Sequence, residues 1–132
     1  MTNKDSQLQP GRNYQRRILL VDDSQVNLML TKKLLETLGV EVLTATNGQQ
    51  AVDSTTDGHF HLIFMDLEMP IMGGIEASIK IREQQLSKAP IVALTSHDIN
   101  SVRAKCKEAR MSGFLEKPVT SEKLVSLLDK FF

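Results

Sequence analysis

Short apolar runs alternate with helical patterns along most of this sequence. Continuous apolar runs occupy 18–21 (ILLV), 62–65 (LIFM) and 91–94 (IVAL). Runs of this length and composition are typical of strands buried on both faces of a parallel sheet. More mixed segments at 40–45 (VEVLTA) and 113–116 (GFLE) are expected at the edges of that sheet. The pattern therefore predicts five strands.

A helical pattern follows each predicted strand. The first helix is predicted to begin after an N-cap at Ser24 and to end at Gly39. Its apolar residues recur at i+4 steps: Val26, Leu30, Leu34 and Leu38. The other helices are predicted from Asn47 through Val52, over Ile75–Leu86, over Asp98–Ala109 and after a cap at Thr120 or Ser121. The last helix carries the i, i+3, i+4, i+7 stripe of Leu124, Leu127, Leu128 and Phe131.

The repeated strand–helix alternation predicts an α/β fold. A doubly wound (βα)5 domain has a parallel five-stranded sheet, helices on both faces and right-handed crossovers. In the flavodoxin-like strand order 2-1-3-4-5, the first and third strands are neighbours. We assign this domain to residues 16–132. Residues 1–15 are polar and lack periodicity, so they are predicted to form a flexible lead-in or linker.

Composition excludes few functions. Lysine plus arginine and aspartate plus glutamate are balanced at 16 each, so we expect neither direct nucleic-acid binding nor membrane insertion. The single cysteine, Cys106, excludes an intrachain disulfide and suits a reducing compartment. No apolar run approaches the ~18 residues of a membrane span, so we expect a cytoplasmic protein.

The candidate chemistry lies where the predicted strands end. Ligands of open α/β sheets bind beyond the carboxyl ends of the strands. The first strand ends in Asp22 and Asp23, the third in Asp66, and the fourth and fifth are followed by Thr95 and Lys117. In the order 2-1-3-4-5, three carboxylates, a hydroxyl and an ammonium would therefore converge.

Three neighbouring carboxylates repel one another unless a cation compensates them. Mg²⁺ accepts carboxylate oxygens, and Lys117 supplies a compact positive charge. Together they would leave Asp66 ionised and able to accept a phosphoryl group covalently, with Thr95 hydrogen-bonded to a phosphoryl oxygen.

These motifs resemble the receiver domain of response regulators over about residues 16–132. The matching segments are VDDS, MDLEMPIMGG, ALTS and FLEKP. Each motif alone is weakly specific, but their order along the chain is highly specific. DDSQVNLML, MDLEMP and CKEARMSGFLEKP resemble in particular the receivers of hybrid sensor histidine kinases, so the chain is either a single-domain regulator or part of a larger kinase, which could be membrane-anchored.

The resemblance implies a phosphorelay role with Mg²⁺ as cofactor. Asp66 would accept a phosphoryl group from a phosphohistidine on a histidine kinase or histidine phosphotransfer domain. Asp23, Asp66 and the Glu68 backbone carbonyl would ligate Mg²⁺, with Asp22 acting through metal-bound water. The phosphoryl group would contact Thr95, Ser96 and Lys117. Pro118 would shape the loop that carries Lys117.

The resemblance also implies a switch. Movement of Thr95 toward the phosphate would let Phe114 turn inward and reshape the face of the fourth helix, fifth strand and fifth helix. The phosphate could instead pass on to a histidine phosphotransfer protein. Glu68 and His97 are expected to tune the lifetime of the phosphoaspartate. The domain would be a phosphoacceptor that dephosphorylates itself slowly, not a turnover enzyme, and a homodimer formed on phosphorylation is an open alternative.

Three positions depart from the family pattern, and three rival functions remain. Ser96 follows Thr95 where alanine or glycine is usual, but it is small, so access of the phosphoryl group is expected to survive. Gly73-Gly74 replaces the common Asp-Gly and is expected to loosen its loop. Arg110 stands where a glycine usually ends the fourth helix, so it must adopt a left-handed conformation or the helix must end differently. The rivals are a phosphatase of the haloacid dehalogenase type, a flavodoxin-like FMN binder and a receiver that serves only for docking.

Overall fold

A computed structural model describes residues 14–69, 71–96 and 98–132 of the chain. Five strands alternate with five helices in these ranges: β1 (Arg17–Val21), α1 (Gln25–Thr37), β2 (Glu41–Ala45), α2 (Gly48–Asp57), β3 (Leu62–Asp66), α3 (Gly74–Glu83), β4 (Ile91–Thr95), α4 (Ile99–Glu108), β5 (Gly113–Glu116) and α5 (Ser121–Phe131). The predicted lead-in lies outside the described residues up to position 13, so its boundary at position 15 stays a prediction.

The strands form one parallel sheet in the order β2-β1-β3-β4-β5, which confirms the predicted fold. Every residue of β3 and β4 is buried, because helices cover both faces of the sheet. Alternate strand residues divide the core into two layers. Ile18, Leu20 and Phe64 pack with the apolar residues of α1 and α5. Leu19 and Ile63 pack on the opposite face with those of α2 and α3.

The caps of α1 and α2 are confirmed, whereas other details of these helices differ from prediction. The Ser24 side chain accepts a hydrogen bond from the Asn27 backbone N–H at 3.3 Å. The i+4 stripe of α1 faces solvent in its first half, because Val26 and Leu30 are 64% and 57% exposed, whereas Leu38 is buried. Leu28, Thr31 and Leu35 are buried instead.

Helix α2 is longer than predicted, since it continues past Val52 to Asp57. The Thr55 and Thr56 hydroxyls donate to the Val52 carbonyl at 2.8 and 3.2 Å. Both hydroxyls therefore have a hydrogen-bond acceptor in their own helix, and Thr55 is buried against the core. A polar-looking segment therefore remains helical.

Three helices end in the same backbone motif. The residue after the C-cap has a positive φ in each case, and these residues are Gly39 in α1, Gln85 in α3 and Arg110 in α4. In α4 the Met111 N–H donates to the Cys106 carbonyl and the Arg110 N–H to the Lys107 carbonyl, which is the Schellman pattern. Arg110, at φ 59°, thus takes the left-handed conformation that glycine favours.

Candidate acidic phosphoacceptor site

The three predicted aspartates converge beyond the carboxyl ends of β1 and β3. One carboxylate oxygen from each of Asp22, Asp23 and Asp66 lies within 4.8 Å of the others. Asp22 and Asp66 are 3% and 1% exposed, whereas Asp23 faces solvent. The two buried carboxylates are also held by backbone amides: Asp22 accepts from Ser24 N–H at 2.9 Å and Asp66 from Glu68 N–H at 3.1 Å.

Lys117 lies between the two buried carboxylates. Its ammonium nitrogen is 3.3 Å from Asp22 Oδ2 and 3.3 Å from Asp66 Oδ1. The Lys117–Pro118 peptide is cis, and the Lys117 N–H donates to the Thr95 carbonyl at 2.8 Å. The loop after β5 therefore brings its cation to the carboxylates of β1 and β3.

One lysine does not compensate this cluster fully. Burial, with the Asp22 charge as the second cause, raises the pKa of Asp66 to about 7, although Lys117 acts in the opposite direction. The three carboxylates carry more negative charge than Lys117 neutralises. Hard divalent cations prefer such oxygen ligands. The residues present therefore match Mg²⁺, and the cluster is a candidate metal site.

The predicted hydroxyl residues flank the carboxylates. Thr95 is completely buried at the end of β4, and Ser96 is exposed one position later. The Ser96 hydroxyl donates to a Glu68 carboxylate oxygen at 3.4 Å. Glu68 and Ser96 thus meet across the entrance to Asp66. Pro70 and His97, the second residue predicted to tune lifetime, lie outside the described residues.

Phe114 lies in β5, three residues before Lys117, and pairs with Ala93 of β4. Its ring is half-buried, and the Arg103 guanidinium of α4 lies 5.3 Å above the ring centroid. Cation–π contacts of this kind are worth ~0.5–1 kcal/mol at exposed sites. The predicted switch residue is therefore in contact with the fourth helix.

The loop after Asp66 packs closely against the backbone at Gly74. A Cβ atom on Gly74 would lie 2.1 Å from the Asp66 carbonyl oxygen. A Cβ atom on Gly48 would lie 2.3 Å from the Met72 carbonyl oxygen, which accepts the Gly48 N–H at 2.9 Å. Gly74 is the glycine of the common Asp-Gly pair, and its absent side chain permits this close packing. The expectation that Gly73 loosens the loop stays a prediction.

Lys123 is a positioning residue that the sequence did not reveal. Its ammonium nitrogen donates to the backbone carbonyls of Glu116 and Pro118, both at 3.0 Å. These bonds attach the first turns of α5 to the loop that carries Lys117. The spacing along α5 alone could not identify Lys123, because the bonds depend on how the loop turns back over the helix.

Comparison with protein families gives a match over most of the chain. Residues 18–129 match the model of the response regulator receiver domain. The chain is 41% identical over 113 residues to two-component response regulator 24 of Arabidopsis thaliana, with 85% of this chain and 81% of that protein covered. It is 36% identical over 119 residues to sensor protein GacS of Pseudomonas syringae pv. syringae, where it covers 87% of this chain but only 13% of the relative.

Solved structures share the fold. Chemotaxis protein CheY4 of Vibrio cholerae has a TM-score of 0.84 at 30% identity, with 89% of this chain and 98% of that chain covered. The receiver domain of sensor histidine kinase PA1611 from Pseudomonas aeruginosa, with a magnesium ion in its active site cleft, has a TM-score of 0.79 at 32% identity, covering 88% and 96%.

A third structure contains a partner protein. The receiver domain of the response regulator Ssk1 of Saccharomyces cerevisiae, in complex with the histidine phosphotransfer protein Ypd1, has a TM-score of 0.78 at 31% identity, with coverage of 88% and 86%. Within the described ranges, no helix combines the length and apolar character that crossing a bilayer requires. From the family match and these relatives, the chain belongs to the response regulator receiver domain family.

Proposed function

We propose that this domain accepts a phosphoryl group on Asp66 from a phosphohistidine of a partner protein, with Mg²⁺ as cofactor. The observation that carries the proposal is the contact of a buried Asp66 with Lys117 at 3.3 Å inside a cluster that can hold a metal ion. A carboxylate oxygen of Asp66 would form the new O–P bond. The P–N bond would break, and its electron pair would stay on the imidazole nitrogen of the donor.

Each residue near Asp66 has a separate part in this proposal. Asp22, Asp23, Asp66 and the Glu68 backbone carbonyl would hold Mg²⁺, with Asp22 acting through metal-bound water. The ion supplies positive charge against the phosphoryl oxygens when bound. Lys117 is already oriented by its two carboxylate partners. On phosphorylation its ammonium would turn to a phosphoryl oxygen, and Thr95 and Ser96 would donate hydrogen bonds to the others.

The partner would be a histidine kinase or a histidine phosphotransfer domain. Val26, Met29 and Leu30 are 64%, 59% and 57% exposed on α1, and Ile71 is 81% exposed in the loop after β3. Exposed apolar residues beside a reactive group are typical of a docking surface. This patch adjoins the acidic site, because α1 begins directly after Asp22 and Asp23. The partner's histidine would thereby be brought to Asp66.

The domain would act as a phosphoacceptor and not as a turnover enzyme. Phosphorylation would either reshape the face of α4, β5 and α5 through Thr95 and Phe114 or be followed by transfer to a histidine phosphotransfer protein. The Arg103–Phe114 contact would have to change in the first case. A homodimer that formed on phosphorylation would use this face of α4, β5 and α5. Glu68, with its hydrogen bond from Ser96, and His97 would set the rate of dephosphorylation.

The test measures phosphoryl transfer from a phosphorylated histidine phosphotransfer protein and, separately, from acetyl phosphate. Radiolabelled or gel-shifted product is expected only with Mg²⁺, with one phosphate per protein that is stable in acid and labile in base. Asp66→Asn should abolish it. Asp53→Asn is the matched control, because Asp53 is an exposed aspartate of α2 outside the acidic cluster.

Three outcomes would contradict the proposal. Product formation by Asp66→Asn would place the acceptor elsewhere. Release of many phosphates per protein, instead of a slow single cycle, would indicate a phosphatase. Absence of transfer from both donors, with the fold intact, would indicate a docking module.

A further inference from the structure

A cavity of about 490 Å³ lies near the amino-terminal ends of the strands, at the edge of the sheet opposite to Asp66. It is lined by Arg82, Gln85, Ser87, Lys88 and Arg110, and we call it the basal groove. Arg82 lies in the last turn of α3, and the other residues belong to the turns after α3 and α4, which lead into β4 and β5. A five-residue strand spans about 15 Å, so the groove is remote from the acidic site.

The groove concentrates positive charge in a chain that is neutral overall. Three of its five lining residues are cationic and none is acidic. Lys88 and Arg110 are exposed, and neither forms an ion pair with an acidic residue in the part of the chain that the structure describes. The positive charges are therefore available to an external anion.

Arg82 gives the groove a fixed floor. Its guanidinium donates to the backbone carbonyls of Ser87 at 3.0 Å, Ala89 at 2.8 Å and Arg110 at 3.4 Å. These bonds use three of the five N–H groups of an arginine side chain and leave two for a ligand. Burial, followed by the nearby Arg110 charge, lowers the pKa of Arg82.

Two residues of the groove have a backbone conformation that favours glycine. Gln85 and Arg110 have φ values of 55° and 59°, and both face the cavity. Glycine would adopt this conformation without the cost that a Cβ atom brings. Both residues occupy the position after the C-cap at which α3 and α4 end, so the ends of these two helices place the side chains of Gln85 and Arg110 at the groove.

A neighbouring cavity extends the groove. It has a volume of about 360 Å³ and shares Gln85, Ser87 and Lys88 with the basal groove. Its remaining lining is less charged and includes Phe60, Leu86, Ala89 and the residues before Phe60. The charged basal groove thus continues into a largely uncharged cavity. Each of the two volumes lies within the ~300–1,000 Å³ range of small-molecule sites.

We propose that the basal groove binds an organic phosphate, with its phosphate groups against Arg82, Lys88 and Arg110 and its organic group in the neighbouring cavity. Guanidinium groups form paired hydrogen bonds with phosphate oxygens, and an ammonium adds a point charge. The mixed lining favours such a ligand over an acidic peptide, which would need cations along its whole length.

The experiment is an NMR titration of the ¹⁵N-labelled chain without divalent cations, so that the acidic cluster does not recruit the probe. Inorganic pyrophosphate tests the charged part, ADP tests the combined site, and sodium chloride at equal ionic strength is the blank. Pyrophosphate should shift backbone amides at 82–89 and 110–113, and ADP should also shift those at 58–60. Lys88→Gln and Arg110→Gln should each raise the Kd about tenfold.

The control variant is Lys33→Gln, which removes an exposed charge from α1, on the other face of the sheet. The Kd of Lys33→Gln should equal that of the unchanged chain. In all three variants, the amide peaks of residues far from the substitution should keep their positions, which would show that the fold is intact. Equal weakening in Lys33→Gln, shifts centred on Asp66, or tighter binding of a hexaglutamate peptide than of pyrophosphate would overturn the proposal. Lower melting temperatures without saturable binding would also overturn it, because the cations would then serve only the helix ends. An absence of ADP-specific shifts at 58–60 would overturn the placement of the organic group.

Discussion

The acidic cluster at one edge of the sheet and the groove at the other carry opposite charge, although the chain as a whole is neutral. At one edge Asp22 and Asp66 are buried around a single cation, Lys117. At the other, Arg82 and Arg110 line a groove without an acidic residue. In a parallel βα sheet the helix N-termini lie near the first edge and the C-termini near the second, and their dipoles favour anions and cations respectively. Net charge therefore hides a separation that the fold creates.

The acidic edge should be the more sensitive of the two to loss of charge. Lys117→Met removes the ammonium between two buried carboxylates, so the phosphorylation rate with acetyl phosphate and Mg²⁺ should fall about 100-fold or more. Lys130→Met, on the exposed face of α5, should leave the rate within about threefold. A similar loss in both variants would indicate that overall charge, and not the position of Lys117, controls the rate.

The acidic edge should also limit stability at neutral pH. Because the pKa of Asp66 rises from 3.8 to about 7 on folding, the folded chain keeps a proton that the unfolded chain has released between these values. The free energy of unfolding should therefore fall as pH rises from about 4 to 7 and then level off. Asp66→Asn should be more stable than the unchanged chain at pH 8 by roughly 2–4 kcal/mol, with a smaller difference at pH 5.

Urea denaturation at the two pH values measures this difference, with Asp53→Asn as the exposed control. Mg²⁺ at pH 8 should stabilise the unchanged chain and have less effect on Asp66→Asn, since binding to the folded state alone raises its stability. A difference that is constant between pH 5 and pH 8 would contradict the raised pKa.

At the basal edge, Arg82 should matter for stability through its hydrogen bonds. Arg82→Met leaves the carbonyls of Ser87 and Ala89 without their donor, and we expect a loss of about 2 kcal/mol in thermal or urea unfolding. Lys80→Met removes a charge from the same last turn of α3 and should cost much less. Equal losses would mean that charge at the helix end, and not the bonds to the turn, accounts for the role of Arg82.

The smallest expected effect is a gain of stability at the same edge. Arg110→Gly relieves a left-handed conformation at φ 59° and should raise the free energy of unfolding by about 1 kcal/mol. The reciprocal variant is Gly39→Ala, at φ 80° in the same motif after α1, which should lower it by a similar amount. Destabilisation by Arg110→Gly would show that contacts of the side chain outweigh the backbone strain.

Most of the fold followed from the local pattern of apolar and polar residues. Apolar runs located β1, β3 and β4, more mixed segments located β2 and β5, and side-chain caps located the starts of α1, α2 and α5. The side of α1 that meets the sheet did not follow from periodicity, because this helix carries apolar residues on two sides. The buried side is the one that contains Leu28 and Leu35.

The sequence by itself determined that aspartates, a threonine and a lysine stand at strand ends, and therefore that they would meet at one edge of a parallel sheet. Only the tertiary structure decided that Asp66 is buried while Asp23 is exposed, because burial depends on neighbours distant in sequence. Likewise, Arg82 and Arg110 share a groove only because β4 and β5 are adjacent. Local periodicity encodes which elements form, whereas distances, burial and charge pairing arise when those elements pack.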